Sequence, residues 1–143
     1  MLDGSDEQRS VADALALLPC DIELPAKWND FFKRTGMLPC MRGDRRRFTR
    51  SFHRAQAALE YRQTLPHLAR PAIWYCVYTT DITRKSIGFL HSEQLFPGER
   101  MRMMLIDGSE RIVHVVRCRR IRNRCYDTGA RFIDGFDAPL EQD

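Results

Sequence analysis

Residues 100–106, RMRMMLI, run into Asp107-Gly108, and residues 110–121, ERIVHVVRCRRI, follow. Two apolar-rich runs joined through Asp-Gly are the strongest hairpin signal in the chain, because both residues tolerate the tight reversal that strand twist demands. Working outward, Pro97-Gly98 marks another turn just before the hairpin. Residues 73–80 (Ile73, Trp74, Tyr75, Cys76, Val77, Tyr78) are β-branched and aromatic and read as a strand. Residues 87–91 form the next strand, and residues 52–61 form the first. Residues 62–72, with Pro66 and Pro71, are a loop. A turn near Arg122-Asn123 leads to a last strand over 126–133, which Asp134-Gly135 ends. Six short antiparallel strands with frequent turns predict a mainly β fold closed into a barrel, since closure removes the adhesive edges of an open sheet.

The first forty residues have a different pattern. Ser5 and Gln8 form a capping box, Val11, Leu15 and Leu18 share one helical face, and Pro19 stops the helix. A second short helix is predicted over 25–34, with Pro25 in its first turn, Lys33 and Arg34 in its last and Gly36 just beyond. It carries Trp28, Phe31 and Phe32. So short a helix is marginal alone, and its aromatics are expected to pack on the domain's own barrel. The chain thus divides into a helical N-terminal extension and linker (1–41), a barrel domain (42–134) and a short acidic tail (135–143).

At 143 residues and 43% hydrophobic content the chain is long and apolar enough for one real core. Net charge is +4, carried by 20 Arg and only 3 Lys. Arginine favours phosphate recognition and stacking on flat rings. The five cysteines are an odd number without close pairs, as expected for reduced thiols in a cytoplasmic protein. His53, His67, His91 and His114 are scattered and suggest no metal site. Asp3, Asp6, Glu7 and Arg9 argue against a secretory signal, and no apolar run approaches membrane-spanning length. No nucleophile–base set and no P-loop is visible, so the sequence suggests neither an enzyme nor a catalytic cofactor.

Two local motifs carry chemistry. Arg45-Arg46-Arg47-Phe48-Thr49-Arg50 precedes the first strand, and Asp81-Ile82-Thr83-Arg84-Lys85-Ser86-Ile87-Gly88 spans a turn. Arginine offers planar bidentate contacts to phosphates and guanine edges. A carboxylate accepts from the ring N–H and amino group of guanine. Together they suit an anionic purine nucleotide.

These residues resemble the PilZ domain, a six-stranded bacterial barrel that serves as a receptor for cyclic di-GMP. That family has Arg-x-x-x-Arg before the first strand, matched by Arg46 and Arg50, and Asp-x-Ser-x-x-Gly at the turn between the second and third strands, matched by Asp81, Thr83 and Ser86. "LFPGER" at 95–100, "VVRCRRI" at 115–121 and "TGARF" at 128–132 are similar as well, so the likeness covers about residues 42–134. It implies that Arg46 and Arg50 stack on a guanine and clamp phosphates, with Arg45 assisting. Asp81 accepts from the guanine edge, and the Thr83 hydroxyl adds a hydrogen bond. The ligand would lie on the outer barrel wall, closed over by the arginine segment, and a downstream protein would read the reshaped surface.

Two positions depart from the family pattern. Thr83 keeps the Ser hydroxyl but adds a methyl group. Ser86 stands where the family has Gly, and a Ser in a left-handed conformation costs roughly 1 kcal/mol. That reading predicts tighter binding for Ser86→Gly. The same departures leave open an adaptor that binds no nucleotide and uses the aromatic segment 25–34. A nucleic-acid reading rests on Arg117, Arg119, Arg120, Arg122, Arg124 and Arg131, but few aromatics interleave with them to stack bases.

Overall fold

The structure is a computed structural model that describes residues 11, 13–18, 20–28, 30–33, 51–66, 70, 71 and 73–133. Six antiparallel strands, β1 (Ser51–Gln63), β2 (Trp74–Ile82), β3 (Ser86–His91), β4 (Arg100–Met104), β5 (Glu110–Arg122) and β6 (Cys125–Ile133), close into a barrel in the order β1-β2-β3-β6-β5-β4. The barrel is held shut by β1 pairing with β4, Leu59 opposite Met103. Each strand falls where the sequence predicts one, with β1 somewhat longer at both ends.

Alternation explains the core. Leu59, Val77, Ile87, Phe89, Met101, Met103, Val113, Val115 and Ala130 all point inward and are essentially solvent-free. Turn chemistry sets the register. Gly108 takes φ 90° and donates its N–H to the Leu105 carbonyl at 2.8 Å. Leu105 N–H in turn donates to Ser109, so Ile106-Asp107-Gly108 is a three-residue loop rather than the expected two-residue reversal. Gly98 takes φ 100° after Pro97, and Glu99 N–H closes that turn on Phe96.

The N-terminal extension is only partly helical. Residues 13–16 are α-helical, with Leu15 buried, and Val11 sits against the β4–β5 loop, close to the position a Gly108 side chain would occupy. The capping box at Ser5 and Gln8 lies outside the described residues. The single helix expected over 25–34 is instead two 3-10 turns, Ala26–Trp28 and Phe31–Lys33. A segment this short gains more from seating its aromatics than from completing a helix. Phe31 is buried against Leu90, Cys125 and Tyr78, and Phe32 meets the Tyr78 ring edge-on at 4.9 Å. The N-terminal residues 20–33 therefore form a strap across the outside of the barrel.

One end of the barrel encloses a polar cluster. The Tyr61 hydroxyl lies 2.8 Å from both His91 Nε2 and Glu93 Oε1. With its proton given to Glu93, Tyr61 accepts from His91 Nε2–H, which leaves Nδ1 bare, and that atom is buried without a partner. Burial, then the nearby Arg70 charge, pushes the His91 pKa down to about 3. Neutral His91 is thus the folded form, while the unfolded chain takes up a proton near the ordinary value of 6.5. Stability contributed by this site is complete above pH 6.5 and is lost as pH falls toward 3, at about 1.4 kcal/mol per unit. Denaturant titrations at successive pH values should show His91→Gln losing less stability on acidification than the wild type. A stability difference between the two that stays constant from pH 7 to 4 would contradict this.

Candidate functional site

The outer wall of β2, β3, β6 and β5 has an unusual feature. Register pairs Phe52 with Asp81, Asp81 with Gly88, Gly88 with Gly129, and Gly129 with Arg117, so these residues form one row across five strands. The two central members lack side chains, which leaves a shallow floor in the barrel wall. Mid-strand glycine costs stability and marks close approach of another group. Here that group is a side chain from each flank. A Cβ on Gly88 would stand 2.5 Å from Asp81 Oδ1 and from Thr80 Oγ1, and one on Gly129 would stand 2.8 Å from Arg117 Nε. The carboxylate and the guanidinium therefore lie down over the glycines. The β2 bulge between Thr79 and Asp81 turns both Thr80 and Asp81 toward this face, and the Thr80 hydroxyl donates to Asp81 Oδ1 at 2.8 Å.

Between the strap and the Asp81 and Arg117 side chains that cover this floor lies a groove of about 350 Å³, lined by Lys27, Trp28, Asp30 and Phe31 on the strap side and by Arg54, Thr80, Asp81, Leu90, Arg117, Arg119 and Asp127 on the barrel side. The Arg54 guanidinium lies 4.3 Å from the Phe31 ring centre and 4.9 Å from that of Phe52, an arrangement that fixes its plane. Arg119 meets Asp127 at 3.4 Å. Four cations and three carboxylates surround flat aromatic surface, which suits a ligand that is anionic at one end and a planar hydrogen-bond donor at the other.

Of the residues singled out in the sequence, Asp81 lines the groove. Arg45, Arg46 and Arg50 lie outside the described residues; Ser51, the next residue after Arg50, pairs with Ile82 at the groove's edge. Thr83 and Ser86 do not line the groove. The Thr83 hydroxyl accepts from the Lys85 and Ser86 N–H groups at 3.0 and 2.9 Å and lies 2.8 Å from Ser86 Oγ, so it organises the β2–β3 turn. Ser86 opens β3 opposite Arg131. Among the described residues only Arg124, at φ 58°, is a non-glycine with positive φ. The left-handed strain expected at Ser86 is therefore absent, and the expectation that Ser86→Gly tightens binding loses its basis.

The sequence reading missed Lys27, Trp28, Asp30, Arg54 and Asp127 as groove residues, and assigned Arg117 and Arg119 only to a nucleic-acid reading. The available signal was a glycine inside each of two strands. Among the described residues no cluster of three His, Cys, Asp or Glu side chains could hold a metal ion, and no helix is long and apolar enough to cross a membrane. Compared with known proteins, the chain matches no family model and no curated protein.

Proposed function

We propose that this chain is a cytoplasmic PilZ-type receptor for cyclic di-GMP, acting as a signalling module rather than an enzyme. The guanine edge lies on Asp81, the phosphates meet Arg117 and the arginines of 45–50, and a base stacks beside Arg54 and the strap aromatics. One observation carries the reading: the Phe52–Asp81 pairing brings the strand that follows the Arg45–Arg50 motif directly alongside the carboxylate of the second motif. β1 begins at Ser51, the residue that follows Arg50 in the sequence, and Ser51 pairs with Ile82, the neighbour of Asp81. Bound ligand would draw the arginine segment over the groove and change the surface offered to a protein partner.

The adaptor alternative relies on the aromatic segment 25–34 being available to another protein. Burial of Phe31 in the strap's own contact with the barrel counts against it.

Calorimetry with cyclic di-GMP tests the proposal. Wild-type protein should bind, and Asp81→Asn, Arg46→Ala and Arg50→Ala should each weaken binding tenfold or more, about 1.4 kcal/mol. No heat at high micromolar ligand would favour the adaptor.

A further inference from the structure

A second row of register partners crosses the outer wall beside the glycine floor. Arg100 pairs with His114, His114 with Arg131, and Arg131 with Ser86, on four neighbouring strands. The residues that alternate with them, Met101, Val113, Val115, Ala130, Phe132 and Ile87, are buried in the barrel core, so these four side chains point outward. Ser86 and Arg131 stand two places along from Gly88 and Gly129 on the same face, and Arg117 lies over Gly129. The row therefore continues the groove floor toward β4.

Its charges are of one sign. Like charges on adjacent strands weaken a sheet, yet two guanidinium groups bracket one imidazole here. Burial, then the Arg131 and Arg100 charges, hold His114 below its ordinary value. No residue two places to either side of these four is an acid. Of the acids on nearby rows, Glu60 and Glu110 lie 3.6 and 3.7 Å from Arg102, and Asp81 bends over Gly88.

The hydrogen bonds leave donors facing out. Arg100 Nε donates to His114 Nδ1 at 3.3 Å, so the imidazole proton sits on Nε2. The Thr83 hydroxyl oxygen accepts from the Lys85 and Ser86 N–H groups, which fills its lone pairs. Its own proton goes to Ser86 Oγ, 2.8 Å away, and the Ser86 hydroxyl proton is left to donate onward. Strands lie about 4.8 Å apart, so Arg100 and Arg131 start roughly 10 Å apart across His114, a span that two arginine side chains can close over one oxyanion.

We propose that Arg131, His114, Arg100 and Ser86 form a binding site for a phosphate group, next to the Asp81 groove on the same outer wall. Arg131 offers a planar fork to two phosphate oxygens. His114 Nε2–H and the Ser86 hydroxyl add neutral donors, and Arg100 supplies charge while its Nε orients the imidazole. The site does not depend on which ligand Asp81 holds.

The test is to titrate the isotope-labelled full chain with inorganic phosphate, holding ionic strength constant with sodium chloride, and to follow the His114 ring and Arg131 side-chain signals. The expected result is saturable shifts, with half-saturation at or below about 5 mM. The His114 titration midpoint should rise with phosphate, because the bound anion offsets the two guanidinium charges. Arg131→Gln should weaken binding about tenfold and Ser86→Ala severalfold. Arg131 is exposed, and the remaining amide signals report that each variant is folded. Repeating the titration with saturating cyclic di-GMP distinguishes the sources of phosphate: competition assigns the site to a phosphate of the groove ligand, and undiminished binding assigns it to a separate phosphate or phosphate ester. Shifts that chloride reproduces, a response that does not saturate, or wild-type phosphate affinity in folded Arg131→Gln would overturn the proposal.

Discussion

Replacing Arg70 by Met is expected to destabilise the protein by about 3–5 kcal/mol. Arg70 leaves the loop after β1 and grips Glu99 with two bonds, Nε to Oε1 at 3.0 Å and Nη2 to Oε2 at 2.8 Å. The Glu99 side chain is 0% exposed and that of Arg70 only 9%. The guanidinium also lies across the Tyr61 ring at 4.9 Å and donates to the Gln94 carbonyl, so loop, barrel and the β3–β4 connection all meet at this one group. Without it, Glu99 keeps the Phe96 N–H at 2.9 Å but no opposing charge. A buried, uncompensated carboxylate is among the most costly things a mutation can leave behind. Urea unfolding measures the loss. The double variant Arg70→Met, Glu99→Leu should recover much of it, because the charge needing compensation is gone as well. A loss under about 1 kcal/mol for the single variant would mean that the pair behaves like a surface ion pair.

Gly88→Ala is expected to leave the barrel folded and to weaken cyclic di-GMP binding by about tenfold to a hundredfold. The added methyl would overlap Asp81 Oδ1 and Thr80 Oγ1, both ends of side chains rather than backbone. Strand pairing with Asp81 and Gly129 can therefore persist while the carboxylate swings away from the floor. Hydrogen bonds to a charged acceptor contribute about 1.5–3 kcal/mol, and each 1.4 kcal/mol is a factor of ten. Circular dichroism and calorimetry on the same sample separate the two effects. Wild-type affinity in a folded Gly88→Ala protein would remove Asp81 from the ligand contacts.

The strand pattern was legible because its signals are local. β-branched and aromatic runs, Asp107-Gly108 and Pro97-Gly98 each act within a few residues. The groove was not legible, because its floor depends on register: Gly88 and Gly129 are distant in sequence and become neighbours only through the β3–β6 pairing. Arg70 and Glu99 were hidden for the same reason, one inside a predicted loop and the other in a turn. The excess of arginine was half understood. Arg111 stacks on Phe132 at 3.8 Å and Arg102 on Trp74 at 4.8 Å, so part of it covers barrel aromatics and has no bearing on phosphate. The second helix failed because end signals such as Pro25 and Lys33 do not outweigh burial of Phe31 in a segment so short.

The most direct measurement is a titration of isotope-labelled protein with cyclic di-GMP, followed amide by amide in solution. The account predicts saturable shifts concentrated at Thr80, Asp81, Gly88, Gly129 and Arg117 and along strap residues 26–31, with the β4–β5 loop unmoved. Shifts confined to the far end of the barrel around Tyr61 and His91, or no shifts at all, would contradict it.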